Sequence, residues 1–569
     1  MKGMAGKLIY ETLRSYGVTH LFGLDDPIPL FEALDKKVIK PISIRDEKHG
    51  AIMAHGYAKA TNKPGICASI YGPGASNLMT GLAEALKSST PIIAFISDIA
   101  STNHGRNASM EIDMEPFLKP VVKWVERLDS PNRATELTRK AFRIATSGRP
   151  GPVALLCPGD LMKAEGEGEV YAEPGCGRYP SRRLRSSKES IEDAVELLSK
   201  AKRPVIIAGG GCIISQAWDQ ILELAEMFRI PVATTLMGKG TIPDSHPLSV
   251  GVMGSYTGGK YGRGKIANQI VSEADVAFII GSRTDQIPYF NWTLPKKGTK
   301  IIHLDIDPEE IGRNFETQVA MVGDIQATMI DFLEYCRKNN IKMGLQNIEG
   351  QINKLKKDWV KLNEPLSNSE NIPIRPERFL KELSAYIDTN TIITTDASYV
   401  SGWATSHIDN MSKGCNFIIP RAMAGLGWGL PAAMGAKIGR PEKTVICFTG
   451  DGAFGYVMAE LETAARYNIN VVTIVFDNKM WGFQKHAELM NYGKSVETDL
   501  LDVDYSEVAR ALKCQGERIQ DSKEITGAIE RALNANVPYV IDLVIDSNAI
   551  APLVEFDNFD PGKAGRLSF

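Results

Sequence analysis

The residues with the clearest chemical logic lie between Gly450 and Gly482. The apolar run Val445–Phe448 leads through Thr449 into Gly450-Asp451-Gly452-Ala453, and a helix pattern follows through Glu460 and Ala464. Glycines at such a turn let the backbone approach phosphate oxygens, and the helix that follows opens with free N–H groups facing the anion. Asp451 emerges at the same turn with a carboxylate suited to a hard divalent cation. A second apolar run, Val471–Phe476, then ends in Asp477-Asn478-Lys479-Met480-Trp481-Gly482. Two strand ends one crossover apart put Asp451 and Asn478 outside the carboxyl edge of a parallel sheet, where open α/β sheets hold ligands. Oxygen ligands shared with phosphates are the way magnesium is held. A lone Gly-Asp-Gly is a common strand–turn–helix joint. Its pairing with Asn478 points to a magnesium–diphosphate anchor.

Two other segments gain meaning beside that anchor. Arg45-Asp46-Glu47-Lys48-His49-Gly50 precedes a small-residue helix pattern from Ala51 to Ala58. Tyr71-Gly72-Pro73-Gly74-Ala75-Ser76-Asn77 follows the apolar run Ile66–Ile70 and precedes a helix pattern reaching Ser88. Taken alone, the first reads as a solvated charged loop and the second as an ordinary strand–helix joint.

The elements that must position these residues follow an α/β rhythm. Apolar runs at Ile66–Ile70, Pro91–Ile96, Val153–Leu156, Val205–Ile207, Val276–Ile280, Lys300–Leu304, Thr391–Thr395, Val445–Phe448, Val471–Phe476 and Tyr539–Val544 are apolar on successive residues, several of them β-branched. That pattern suits parallel strands buried on both faces. Helix-length patterns at Ser190–Ser199, Trp218–Phe228, Arg375–Ile387 and Ser522–Ala535 lie between them. The expected fold class is α/β, with three doubly wound parallel-sheet domains. A Gly/Pro/Glu/Arg-rich stretch from Glu165 to Ser187 and a polar stretch from Met343 to Pro373, with a lysine-rich helical segment, read as linkers. The expected domains are 1–165, 188–342 and 372–547, with a tail at 548–569.

Composition narrows the function. The 569 residues carry a formal net charge of −3 with interspersed signs and no basic tract, so nucleic acid is not the expected partner. No apolar run reaches the ~20 residues that span a bilayer, and the apolar stretch in Met1–Tyr10 is too short for a signal peptide. A soluble cytoplasmic protein is expected. The eight cysteines, Cys415 among them, show no metal-ligand spacing and read as reduced structural residues.

The paired Gly450-Asp451-Gly452 and Asn478 resemble the signature of thiamine diphosphate-dependent enzymes. The segment at Glu47 is similar to that family's glutamate, Ala-rich helix and Gly-Tyr-Ala run. The Gly72–Asn77 segment resembles that of the acetolactate (acetohydroxyacid) synthase group, which includes oxalyl-CoA decarboxylase and glyoxylate carboligase. Further similarity covers nearly the whole chain: Ala145–Val153, Gly281-Ser282-Arg283, Ile302–Gly312 and Ala424–Ala433. The resemblance implies pyrimidine-binding, central nucleotide-binding-type and diphosphate-binding domains, with each site shared between subunits of a homodimer or homotetramer. It implies magnesium on Asp451, Asn478 and the carbonyl of Met480. It implies cofactor contacts from Gly74, Asn77, Ala424, Gly450, Gly452, Ala453 and Gly482, and Leu426 as the aliphatic prop beneath the cofactor. Glu47 would activate the cofactor by hydrogen-bonding its aminopyrimidine ring. Arg283 and Asp305 fit positions that meet a flavin's adenine nucleotide, which leaves FAD, ADP or nothing open for the central domain.

The chain also departs from the synthase pattern. Gly23-Leu24-Asp25-Asp26-Pro27 replaces a Pro-Gly-Gly type loop, so its two acids, Asp25 and Asp26, are candidate proton donors, Asp26 foremost. Ser109-Met110-Glu111 replaces a Phe-Gln-Glu run, and nearby His104 is a candidate acid–base group. Gly482-Phe483-Gln484-Lys485-His486 departs in the substrate channel, where Gln484 and His486 are candidates to hold a substrate carboxylate or hydroxyl. The expected reaction is decarboxylation of a small 2-oxo acid and ligation of the activated unit to a second carbonyl, with a 2-oxo acid or aldehyde as partner. The alternatives are a decarboxylase or a lyase of the oxalyl-CoA or 2-hydroxyacyl-CoA type, for which the tail offers Lys563 and Arg566, and a non-catalytic cofactor-binding regulator.

Overall fold

The computed structural model describes residues 1–343, 347–414 and 416–564. Cys415, Arg566 and the side chain of Lys563 lie outside the described residues. The chain builds three six-stranded, all-parallel sheets with helices packed against them. The first runs in the order Lys40–Ile42, His20–Gly23, Gly65–Ser69, Ile92–Asp98, Val153–Pro158, Trp124–Arg127. The second runs Ser249–Val252, Val232–Thr234, Pro204–Ala208, Val276–Ile280, Lys300–Asp305, Val319–Val322. The third runs Phe417–Ile418, Thr391–Thr395, Thr444–Gly450, Val472–Asp477, Tyr539–Val544, Gln515–Ile519.

Each apolar run read from the sequence coincides with an inner strand of one of these sheets, because helices on both faces bury nearly all of such a strand; Lys300, which opens its strand, is exposed. The first linker begins with a short strand, Glu165–Glu167, which pairs antiparallel with Lys2–Met4 and so ties the N-terminus to the exit of the first domain. The second contains the helix Glu349–Ser367, mostly exposed, with Ile352 and Asn363 buried. Among the described residues no helix is long and apolar enough to cross a membrane.

The first and third domains share one core. Helix Glu47–Thr61 lies against helix Gly429–Gly439, and both are built from small residues that let their backbones touch. A Cβ on Gly56 would stand 2.0 Å from the carbonyl oxygen of Ala432, and one on Gly435 would stand 1.9 Å from that of Met53. The contact is reciprocal: each helix supplies a glycine where the other supplies a carbonyl. It fixes the start of the first helix, where Glu47 sits, relative to the third domain.

Gly435→Ala forces a methyl group into a main-chain oxygen that belongs to a helix and cannot swing aside. The substitution is expected to cost at least the ~1–3 kcal/mol typical of overpacking, read as a lower urea midpoint with an unchanged slope.

Candidate active site

Strand Thr444–Gly450 pairs in parallel with Val472–Asp477, with Gly450 opposite Phe476. Asp451 and Asn478 therefore leave the sheet at the same edge. They line a cavity of about 430 Å³ together with Gly450, Gly452, Ala453, Met480, Trp481, Gly482 and Leu426. The buried carboxylate of Asp451 accepts the N–H groups of Gly452 (2.8 Å), Lys479 (2.7 Å) and Met480 (3.3 Å). Burial, and then the neighbouring Asp477, hold the Asp451 carboxyl above its ordinary range. Asp477 is raised by burial as well, against the pull of Arg518, whose guanidinium lies 3.2 Å away. A divalent cation would offset that cost. Two glycines keep the space open. A Cβ on Gly450 would meet nothing within 4 Å, and one on Gly482 would stand 2.7 Å from the Asn478 amide nitrogen and displace it. Among the described residues no group of three His, Cys, Asp or Glu side chains is placed to hold a metal. The donor set here is one carboxylate, one amide and a carbonyl, which leaves positions for phosphate oxygens and fits magnesium.

The loop beneath this cavity is organised by Asp396, a residue the sequence reading passed over. Its carboxylate is 0% exposed and accepts the N–H groups of Ala397 (2.9 Å), Gly427 (3.1 Å), Trp428 (2.9 Å) and Gly429 (3.1 Å). The Thr449 hydroxyl donates to it at 3.4 Å. Burial raises its carboxyl, opposed by those N–H groups. Leu426 and Ala424 sit in the loop so held, and Ala424 adopts a left-handed φ of 58°. The available signal was an acid directly after the buried strand Thr391–Thr395.

The carboxyl edge of the first sheet collects the other candidates. Glu47 opens its helix beside the N-cap Asp46 and is 7% exposed. The Asn77 amide donates to its Oε2 at 3.0 Å, and a Cβ on Gly74 would stand 3.0 Å from its Oε1. Gly74 and Asn77 thus seat Glu47. Asp26 is half-buried near Ser97, and burial raises its carboxyl. His104 is exposed, with Nε2 3.6 Å from the buried Asp98 carboxylate. None of these lines the anchor cavity. Gln484 does line it, whereas His486 is packed behind Tyr399, whose hydroxyl lies 3.1 Å from Nδ1. Burial lowers the His486 pKa to about 4, so the ring is neutral near pH 7.

A second cavity, of about 290 Å³, opens where all three domains meet. Its walls include Gly210, Gly211, Gly281, Arg283, Asp305 and Arg421. It lies outside the carboxyl ends of strands Pro204–Ala208 and Val276–Ile280, between which the order of the central sheet reverses. This is where doubly wound sheets bind nucleotides.

Three parallel-sheet domains, with a carboxylate–amide pair at one sheet edge and a buried glutamate at another, define the architecture of a thiamine diphosphate enzyme. Family models match in the same order: thiamine pyrophosphate enzyme, N-terminal TPP binding domain, over residues 4–117; central domain over 191–332; C-terminal TPP binding domain over 396–543. The chain belongs to the thiamine pyrophosphate enzyme family. It is 36% identical to a probable acetolactate synthase large subunit of Methanocaldococcus jannaschii, covering 97% of this chain and 93% of that one. It is 35% identical to the Methanococcus aeolicus protein of the same name, covering 96% and 92%, and 32% identical to an acetolactate synthase of Arthrospira platensis, covering 94% and 93%.

Asp396→Ala leaves the N–H groups of Gly427, Trp428 and Gly429 buried without an acceptor. At about 1–3 kcal/mol per orphaned group, a loss of at least ~3 kcal/mol in unfolding free energy is expected by denaturant titration.

Proposed function

We propose that this chain binds thiamine diphosphate and magnesium at the Gly450–Gly482 anchor, decarboxylates a small 2-oxo acid and joins the remaining unit to a second carbonyl. The pairing of Asp451 with Asn478 at one sheet edge carries the cofactor part. The acetolactate synthase names of full-length relatives support the reaction. The bound cofactor supplies a nucleophilic carbon and an acceptor for the electron pair released with carbon dioxide. Asp451, Asn478 and the Met480 carbonyl would hold magnesium. Gly450, Gly452, Ala453 and Gly482 leave room for the diphosphate. Ala424 and Leu426 would shape the bed. Glu47, oriented by Asn77, would hold the proton at the aminopyrimidine ring. Asp26, whose raised carboxyl keeps a proton more readily than an ordinary aspartate, would deliver it to substrate oxygen, with His104 at the same sheet edge. Gln484 would meet the substrate, and the neutral His486 would orient Tyr399.

The anchor cavity is lined by third-domain residues alone, and Glu47 lies on the first domain. This supports a site completed by a second copy of the chain, in a homodimer or homotetramer. Exposed apolar residues on both domains, including Ile28, Met110 and Ile112 on the first and Tyr456, Tyr492 and Leu501 on the third, suit faces buried by association. The working division for these roles is 1–165, 188–342 and 372–547. An adenine nucleotide such as FAD or ADP is a candidate ligand for the central cavity, which could equally stay empty. Asp305 would meet ribose hydroxyls and Arg283 phosphate. The proposed reaction transfers no net electrons, so a flavin there would be structural.

With magnesium, thiamine diphosphate and pyruvate, mass spectrometry is expected to find acetolactate. Acetaldehyde as sole product, or turnover of oxalyl-CoA alone, would replace this reading with a decarboxylase or a CoA-ester lyase. Glu47→Gln should lower turnover by ~100-fold or more, the usual worth of a positioned proton-transfer group, while cofactor binding persists.

Shared sites make a second expectation. Glu47→Gln and Asn478→Ala proteins, each inactive alone, should regain activity when unfolded and refolded together, because mixed dimers hold one intact site. No recovery, with mixed dimers verified by mass, would place both residues in one subunit's site.

A further inference from the structure

Helix Pro73–Lys87 presents three contacts on one face at helical spacing. Asn77 holds Glu47. One turn on, Thr80 lies beneath Gly425, where a Cβ would stand 3.4 Å from its methyl group. A further turn on, the Glu84 carboxylate accepts three consecutive backbone N–H groups of the third domain: Ala422 at 3.2 Å, Met423 at 2.7 Å and Ala424 at 3.3 Å. Glu84 is 2% exposed. Burial pushes its carboxyl up to about 7, while the three N–H groups and Lys59 pull it down. A charge this costly to bury is held by donors on another domain.

The segment it holds is gripped from both sides: Arg421 stacks on Tyr256 of the central domain, and Thr80 packs beneath Gly425. Ala424 sits in the left-handed region, which a side chain disfavours. Its carboxyl-terminal neighbours are held by Asp396 from Gly427 onward. Leu426 lies between these two clamps and lines the anchor cavity. Asp396 fixes one side of Leu426 from within the third domain, and Glu84 fixes the other from the first.

We infer that Glu84 is a positioning residue for the reaction: by gathering the N–H groups of Ala422, Met423 and Ala424 it sets how far Leu426 reaches into the anchor cavity. The inference rests on the reading of Leu426 as the prop beneath the cofactor. It makes the bed of the third domain depend on the helix that also seats Glu47. The diphosphate grip at Asp451 and Asn478 is separate from this loop, so cofactor geometry and cofactor affinity should come apart when Glu84 changes.

The test compares Glu84→Gln, Glu84→Ala and Leu426→Ala in the full chain with magnesium, thiamine diphosphate and pyruvate. It measures kcat at saturating cofactor, the half-saturating cofactor concentration and the melting temperature. A misplacement of about 1 Å costs on the order of 100-fold in rate, and that fall in kcat is expected for Glu84→Ala. Glu84→Gln keeps an acceptor for Met423 and Ala424 but turns an amide toward the Ala422 N–H, and about a 10-fold fall is expected. Half-saturation should shift by less than about 3-fold in both, roughly the context scatter of a single contact. Leu426→Ala should reproduce the pattern of Glu84→Ala. Normal kcat in the Glu84 variants with Leu426→Ala impaired overturns the inference alone. So does a joint fall of kcat, cofactor affinity and melting temperature in Glu84→Gln, which marks general domain adhesion. Normal kcat in Leu426→Ala overturns the prop reading beneath it.

Discussion

Four backbone N–H groups converge on the buried carboxylate of Asp396, and the rest of the site is arranged around that convergence. It joins the end of strand Thr391–Thr395 to the loop at Gly427–Gly429, and through Thr449 to the strand that carries the anchor. The same device recurs twice. Asp451 is held by the N–H groups of Gly452, Lys479 and Met480, and Glu84 by those of Ala422, Met423 and Ala424. Backbone dipoles can stabilise a buried carboxylate without a net charge of their own. Lysine or arginine in these places would compete with a divalent cation for phosphate and carboxylate oxygens. Main-chain donors leave that competition out, and they fix loop shape as they do so.

What could be read from the sequence followed from where its partners lie. The limits of Val276–Ile280, Thr391–Thr395 and Tyr539–Val544 coincide with those of the apolar runs, because strands covered on both faces need unbroken apolar stretches. Edge strands lack that imprint. Val319–Val322 alternates buried and exposed, and Phe417–Ile418 spans two residues. Asp451 and Asn478 stood out because each directly follows a strand. Glu84 did not, since its partners are main-chain groups more than 300 residues further on. His486 shows the opposite limit: its place after the anchor suggests a substrate-facing ring, but helix Gly482–Tyr492 turns it inward onto Tyr399.

The short segment from Arg421 to Leu426 touches both cavities. Arg421 and Ala422 line the one between the domains, and Leu426 lines the one at the anchor. The Arg421 guanidinium stacks 3.9 Å from the centre of the Tyr256 ring, so the central domain also grips this segment. The three domains therefore meet in the loop that supports the proposed reaction centre, rather than at a neutral hinge.

The reciprocal glycine contact between Gly56 and Gly435 has a consequence for how the molecule is made. The helix bearing Gly56 leaves the ribosome early, with a buried face whose partner has not been synthesised. At the usual ~5–20 residues per second, roughly 20–80 s pass before the helix bearing Gly435 follows. Through that interval the nascent first domain carries an uncovered strip at Met53, Gly56 and Tyr57, residues that are sealed in the finished protein. Residence on the ribosome, and the chaperones that shelter apolar surface there, thus become part of the conditions under which this fold is reached.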